Sequence, residues 1–294
     1  MPKTFLILGA AGYVGSALSP YLRALGHTVV GCDIRPGEAA RYDRFVQTRY
    51  QDLDDTVLTG CDIVLWFAGH SSVKISQDDP WGSFENNVFD LAHLFKRAAA
   101  LSKPIIYASS ASVLSSAEDT YSLVANEISA NPYDAGKLAF DMLMPHLGVR
   151  AVGLRMATVS GWSPVMRWEL AFNAMNRTAV EKGVVNVQNP STFRSLLFLE
   201  DLARYVELLS DELILSPDFT PRTVALGSWS GTIGLLASEI ADYWAVPLNF
   251  GSDSGTYSFV LNDREIRRAM PETSAFYQSL RQRCERFARE NQWK

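Results

Sequence analysis

The sequence is poor in cysteine and histidine, has no basic excess and contains no long apolar run, and each shortage excludes a class of function. Its three cysteines, Cys32, Cys61 and Cys284, are odd in number and widely scattered, without metal-ligand spacing. They read as reduced thiols in a cytoplasmic protein rather than as a disulfide framework. The four histidines, His27, His70, His93 and His146, form no pattern of their own, and no metal site is expected. Lys and Arg number 27 against 32 Asp and Glu, a net charge of −5, so nucleic acid and anionic membranes are not attracted and any anionic ligand must be held by local groups. No apolar run approaches the roughly 20 residues that cross a bilayer. Met1-Pro-Lys leads straight into a strand-like segment, so no signal peptide is expected. Internal repeats, heptads and low-complexity linkers are also missing.

What is present is an ordinary globular composition, 47% apolar and 20% charged over 294 residues, enough for a large α/β core. The first 33 residues read strand, helix, strand: Thr4 to Leu8, Tyr13 to Leu25 with Val14, Leu18, Leu22 and Leu25 at helical spacing, and His27 to Asp33. Further strands are predicted at 62–67, 104–108 and 150–155, with helices near 83–101 and 133–146. Such alternation predicts a doubly wound parallel sheet of the Rossmann type over residues 1–160. Beyond it the pattern loosens. Helices over 168–182, 200–210, 231–244 and 274–291 predict a smaller α/β cap over 161–294 that binds substrate, with a possible strand returning to the sheet.

The turn Gly9-Ala-Ala-Gly12-Tyr-Val-Gly15 joins the first strand to the first helix. Glycines there allow a tight turn, close approach of backbone to a pyrophosphate and packing of helix on sheet, and the helix N-terminus favours an anion. Asp33 ends the second strand 18 positions after Gly15, near the distance at which a carboxylate accepts from adenosine ribose hydroxyls and repels a 2′-phosphate. NAD is therefore expected rather than NADP, although Arg35 either pairs with a 2′-phosphate or is solvated. The candidate dinucleotide contacts in this part are Gly9, Ala11, Gly12, Tyr13, Val14, Gly15, Asp33, Ile34 and Arg35.

Tyr133 and Lys137 stand four apart in a predicted helix, on one face, where the two heads can meet. A nearby cation favours the phenolate. Bringing a phenol from about 10 to neutrality takes about 4 kcal/mol, after which it serves as a general acid or base.

With the glycine spacing, Asp33, Tyr133, Lys137 and Ser109-Ser110-Ala-Ser-Val113, the chain resembles the extended short-chain dehydrogenase/reductase family, nearest to its nucleotide-sugar epimerases and dehydratases. The resemblance implies that Ser110, 23 positions before Tyr133, is the hydroxyl that holds the substrate oxygen, and that Tyr133, Lys137 and Ser110 are catalytic. It also implies that Asp52-Leu53 flank the adenine, that Phe67-Ala68-Gly69 lie along the dinucleotide, and that Asn87 supports the active-site water and backbone network. Arg194 resembles the arginine that family members place on a substrate diphosphate, and Asp201 opens and caps the following helix. Ser112, Thr158 and His70 are further substrate-side candidates, and Trp162 is placed to line a cleft.

Several positions depart from the family pattern. Thr158 stands where an asparagine is usual, Leu114-Ser115 replace Tyr-Gly, and a second arginine for the diphosphate has no counterpart, since Arg264, Arg267 and Arg268 read as helix. Ala111-Ser112 replace the Asp-Glu pair of sugar 4,6-dehydratases, which argues against dehydration. The expected function is an NAD-dependent nucleotide-sugar epimerase working through a transient keto-sugar. Two alternatives stay open: an NAD(P)-dependent reductase or dehydrogenase of a keto-sugar or other carbonyl compound, and a non-catalytic dinucleotide sensor. A homodimer is expected by analogy with the family.

Overall fold

The computed structural model describes residues 1–114, 131–254, 258, 260–261 and 278–293. Arg264, Arg267 and Arg268, Ser115 and the start of the predicted 274–291 helix lie outside them.

Continuous apolar runs become the strands of a sheet covered on both faces. β1 (Thr4–Leu8), β2 (Thr28–Asp33), β3 (Arg44–Gln47), β4 (Ile63–Trp66), β5 (Ile105–Ser110) and β6 (Ala151–Met156) lie parallel. They are joined by β10 (Arg222–Leu226) in the order β10-β6-β5-β4-β1-β2-β3. β1 is the pivot, with Leu8 opposite both Cys32 of β2 and Trp66 of β4. The strand order reverses there, and ligands of such sheets bind beyond the strand C-termini at that point.

Alternate residues of each strand feed opposite faces. Phe5 and Ile7 pack with Leu18 and Leu22 of α1 (Tyr13–Ala24) and with Leu202 and Val206 of α8 (Leu199–Leu215). Leu6 and Leu8 face the other way, into a cluster with Trp66, with Phe95 of α5 (Leu91–Ala100) and with Phe140 of α6 (Pro132–Leu143). The short helices α2 (Asp55–Thr59), α3 (Val73–Asp78) and α4 (Pro80–Phe84) complete this half, and a π-helical turn, Glu85–Asp90, links α4 to α5.

The third core lies in the C-terminal part. It joins α7 (Ala171–Lys182), α9 (Ile233–Trp244) and α10 (Leu280–Glu290) through Phe172, Ile240, Cys284 and Phe287. Two small sheets accompany these helices: β11 (Trp229–Thr232), β9 (Phe193–Phe198) and β7 (Thr158–Ser160), and β12 (Leu248–Phe250) with β8 (Val185–Val187).

Two predicted helices start later than their hydrophobic pattern suggested. Residues 231 and 232 pair antiparallel with β9, and Thr232 then caps α9 by accepting from Leu235 N–H at 3.1 Å. Residues 168–170 precede α7 as turn and coil. Asp201 is no cap. It lies in the first turn of α8, fully buried, and accepts from Arg283 of α10 at 2.8 Å, while the same guanidinium pairs with Glu200. Burial holds the Asp201 carboxyl up at about 6 although Arg283 pulls it down.

Candidate active site

At the C-terminal end of the sheet a cleft of about 1150 Å³ runs from the glycine turn to the start of the cap. Single drug-sized ligands occupy roughly 300–1,000 Å³. The space therefore suits two ligands side by side.

The turn is built by close packing. Gly9 has φ +85°, and a Cβ there would lie 2.5 Å from the Phe67 carbonyl oxygen; a Cβ on Gly15 would lie 2.4 Å from the Gly9 oxygen. Gly12 precedes α1 and brings no side chain to cap it. Asp33 is buried, with Oδ2 accepting from Ala11 N–H and Oδ1 from Arg35 N–H, both at 2.9 Å. A carboxylate has about four acceptor sites, so room for ribose hydroxyls is left. Arg35 is more than half exposed. It folds back, donating to the Ala11 carbonyl at 2.8 Å with Nε 3.6 Å from Asp33.

The middle of the cleft is the loop Phe67 to Ser71. The π-helical turn places consecutive asparagines on it: Asn86 accepts from His70 N–H at 2.9 Å, and Asn87 donates to the His70 carbonyl at 3.1 Å. An extra residue in a helical turn is a frequent device at functional sites. Asn87 is buried and stands behind the loop, and its Oδ1 has no partner among the described residues.

Ser110, at the end of β5, and Tyr133 and Lys137, on α6, line the same cleft. Lys137 Nζ donates to the Ala108 carbonyl at 2.8 Å, sits 4.7 Å over the Trp66 ring and 5.9 Å from the centroid of the Tyr133 ring. A Cβ on Gly69 would lie 3.0 Å from that ammonium and 2.6 Å from the orphan Asn87 oxygen, so the glycine opens this corner of the cleft. Burial pulls the lysine down to about 7, opposed by the Asp141 carboxylate one turn on. Asp141 itself accepts from Tyr107, Ser109 and Arg155 at 2.7–2.9 Å. Lys137 is thus a cation short of compensation rather than the settled charge its spacing suggested.

The substrate end is lined by His70, Thr158, Val165, Met166, Arg167 and Leu170. Arg167 donates to Glu169 at 2.7 Å and reaches Ser71 Oγ at 3.5 Å. Arg194, expected here, is on β9 away from the cleft lining and donates to its neighbouring carbonyl, Phe193 O, at 3.0 Å. Asp52 and Leu53 are also off the lining. A short 3-10 turn over Tyr50–Asp52 presents Arg49, Tyr50 and Gln51 instead, and Leu53 enters the core. Trp162 packs against the cap core. Tyr13 lines the turn, but its hydroxyl is turned away, donating to the Gly161 carbonyl at 2.7 Å and accepting from Asn173 at 3.0 Å. It fastens the glycine turn to the cap, and burial pushes its phenol well above the usual range.

The family model of the NAD dependent epimerase/dehydratase family matches residues 5–215. The chain belongs to that family. It is 28% identical over 181 residues to a UDP-glucose 4-epimerase of Mycoplasma pneumoniae, covering 54% of this chain and 53% of that one. It is 31% identical over 157 residues to a UDP-glucose 4-epimerase of Mycolicibacterium smegmatis, covering 47% and 49%. The chain thus spans about half the length of the curated relatives it matches. Its fold is that of MoeE5 in complex with UDP-glucuronic acid and NAD, with TM-score 0.82, 21% identity and coverage of 98% and 99%. It is also that of a UDP-N-acetylglucosamine 4-epimerase from Methanobrevibacter ruminantium, with TM-score 0.80, 18% identity and coverage of 98% and 99%.

In this epimerase/dehydratase family member the cleft brings together the buried Asp33 carboxyl, the glycine turn, and a phenol, a hydroxyl and a depressed lysine. That set can exchange protons with a carbinol beside a hydride acceptor. Residues without a sequence signal also line it. Asn86 depends on a π-helical turn that hydrophobic periodicity does not reveal, and Arg167 on a loop. Asp134, next to Tyr133, could have been noticed: Asn131-Pro-Tyr-Asp134 has capping-box spacing, and Asp134 N–H donates to Asn131 Oδ1 at 3.0 Å.

Proposed function

We propose that the protein is an NAD-dependent epimerase of a nucleotide-linked sugar. The observation that carries this is the convergence of Ser110, Tyr133 and Lys137 on one cleft with the glycine turn and Asp33. The UDP-sugar epimerases among its relatives support a uridine diphosphate sugar as the substrate class. NAD fits the residues present: the turn a Cβ would fill, a buried Asp33 with acceptor sites left, and a lysine and an orphan asparagine oxygen beside Gly69. Bound NAD would supply the acceptor, and then the donor, of a hydride at the carbinol carbon.

Asp33 would hold the adenosine ribose and Lys137 the ribose next to the reacting carbon; oxygen acceptors there restore the charge that burial depresses. A charged Lys137 beside the Tyr133 ring favours the phenolate. Tyr133 takes the sugar hydroxyl proton as the carbinol becomes a ketone and returns it when hydride reaches the opposite face. Ser110 binds the same oxygen. Arg167, within the cleft, is better placed than Arg194 to meet an anionic part of the substrate. Dehydration is disfavoured because Ala111-Ser112 carry no carboxyl. Asp134 is one acid rather than a pair, and both its oxygens are engaged.

Residues 1–160 would form the NAD-binding part and 161–294 the substrate part, with β10 returned to the sheet. We assign the exposed apolar side chains Trp81, Phe89 and Met142, on elements around α6, to a homodimer with a second copy of the chain. Three free, buried thiols suit a reducing, cytoplasmic setting, and no helix among the described residues is long and apolar enough to cross a membrane.

Incubation with UDP-, GDP- and dTDP-sugars tests the reading. One of them should be inverted without net NADH, and Tyr133→Phe should lose at least about 100-fold in turnover. NADH formed in proportion to product would make the protein a dehydrogenase instead.

A further inference from the structure

Asp134 is buried in the cleft wall beside Tyr133, 4% exposed, and the chemistry above gives it no part. Its carboxyl is reached from two sides. Ser112 Oγ donates to Oδ1, and Asn131 Nδ2 donates to Oδ2 at 2.6 Å. Ser112 Oγ lies in turn 2.7 Å from Ser110 Oγ, and the Ser112 N–H reaches that same oxygen at 3.3 Å. A continuous path of hydrogen bonds therefore runs from the buried carboxyl through the Ser112 hydroxyl to the Ser110 hydroxyl, which lines the same cleft as Tyr133.

Each hydroxyl has one proton to donate. When Asp134 is ionised it only accepts, so Ser112 donates to it, Ser110 donates to Ser112, and Ser110 turns a lone pair to the cleft. When Asp134 is protonated it donates to Ser112, Ser112 to Ser110, and the Ser110 proton faces the cleft. A ketone oxygen is held only by the second arrangement. A sugar hydroxyl, which both donates and accepts, fits either.

We propose that Asp134 is a positioning residue of the redox site: through Ser112 it sets whether Ser110 presents a proton or a lone pair to the reacting substrate oxygen. The proposal rests on the epimerase reading only for the identity of that oxygen. In passing between the two arrangements each hydroxyl keeps its own proton and rotates, and the single proton gained or lost is that of Asp134.

Burial raises the Asp134 carboxyl above its ordinary range, while Ser112 and Asn131 lower it by hydrogen bonding. Its own helix carries Lys137 and Asp141. The elements packed on α6 carry Lys74 and Asp78 on α3, Asp79 before α4, Glu85 and Asp90 in the π-helical turn, Tyr107 on β5 and His146 in the turn after α6. Among the described residues the groups that act on Asp134 are the neutral Ser112 and Asn131. The reciprocal bonds with Asn131 cap α6 and account for an acid at this helix start, but not for its bond to Ser112.

The test is the Asp134 carboxyl titration, followed by 13C NMR in the full-length NAD-loaded protein and assigned by difference from Asp134→Asn. Ser112→Ala removes a hydroxyl that donates to the ionised carboxylate, so the titration should move up by about 1–2 pH units. Ser110→Ala, which does not touch Asp134, should move it in the same direction by less. In turnover, Asp134→Asn and Ser112→Ala should flatten the same limb of the pH-rate profile, with only Asp134→Asn lowering the thermal midpoint, through the negative charge lost from the first turn of α6. A titration unmoved by either serine variant overturns the proposal. So does an Asp134→Asn protein whose midpoint falls while its pH-rate profile keeps the wild-type shape. Coupling seen by NMR in a wild-type protein that epimerises no nucleotide sugar supports the chain of hydrogen bonds and refutes the epimerase reading instead.

Discussion

Lys137 and Arg283 are cations buried to the same depth, 4% and 3% exposed, in surroundings of opposite kind. Arg283 reaches from α10 into the start of α8, paired with Glu200 and Asp201 and stacked 4.5 Å from the Phe198 ring. Lys137 touches a carbonyl oxygen and an aromatic face, and its nearest counter-charge, Asp141, already accepts from three other groups. Desolvating a charge is costly unless partners and hydrogen bonds compensate. Arg283 is compensated within the chain and ties α10 to the start of α8. Lys137 is left in deficit, and a ligand that supplies acceptors closes it.

The largest expected effect breaks the compensated side. Arg283→Ala leaves two carboxylates buried without their guanidinium and should cost about 3–5 kcal/mol of stability in chemical denaturation. Next comes the uncompensated side. Lys137→Met should lower turnover by at least about 100-fold, while the thermal midpoint at neutral pH holds or rises because a desolvated ammonium is gone.

The third effect is one of pH. The folded-state value of Lys137 lies at about 7, below its ordinary one. Between pH 7 and about 10.4 the unfolded chain therefore holds a proton that the native protein does not, and this group's contribution to stability rises with pH. In NAD-free protein the midpoint advantage of Lys137→Met over wild type should shrink from pH 7 to pH 10. A constant gap would show that the lysine is not depressed. The smallest effect concerns Arg35, which is exposed and paired with Asp33. Arg35→Ser should change NAD affinity by less than about fivefold, as surface ion pairs contribute about 0–1 kcal/mol.

The sheet strands and the glycine turn were legible in the sequence because their determinants are local. A run such as Ile63–Trp66 is apolar at every position, and Gly15 is required by the Gly9 backbone six residues earlier. β3 carries no such signal, as Arg44–Gln47 is a short strand at the sheet edge with exposed and half-exposed residues. Ser110, Tyr133 and Lys137 carry a sequence signal, the helical spacing of the last two and the family motif around the first, and the fold brings all three to one cleft. The substrate end was not, since Arg167 and Arg194 look equivalent until the fold turns one into the cleft. Asp201 resembled a cap, and only Arg283, 82 residues on, makes it an ion-pair partner.

The most direct test of the central claim, reversible hydride and proton exchange in one cleft, is NMR of the product from a UDP-sugar deuterated at the carbon to be inverted. The account predicts that the epimer keeps its deuterium at that carbon, with no net NADH and with Tyr133→Phe inactive by at least about 100-fold. Loss of the label to solvent would contradict it, since inversion would then proceed by proton abstraction from carbon.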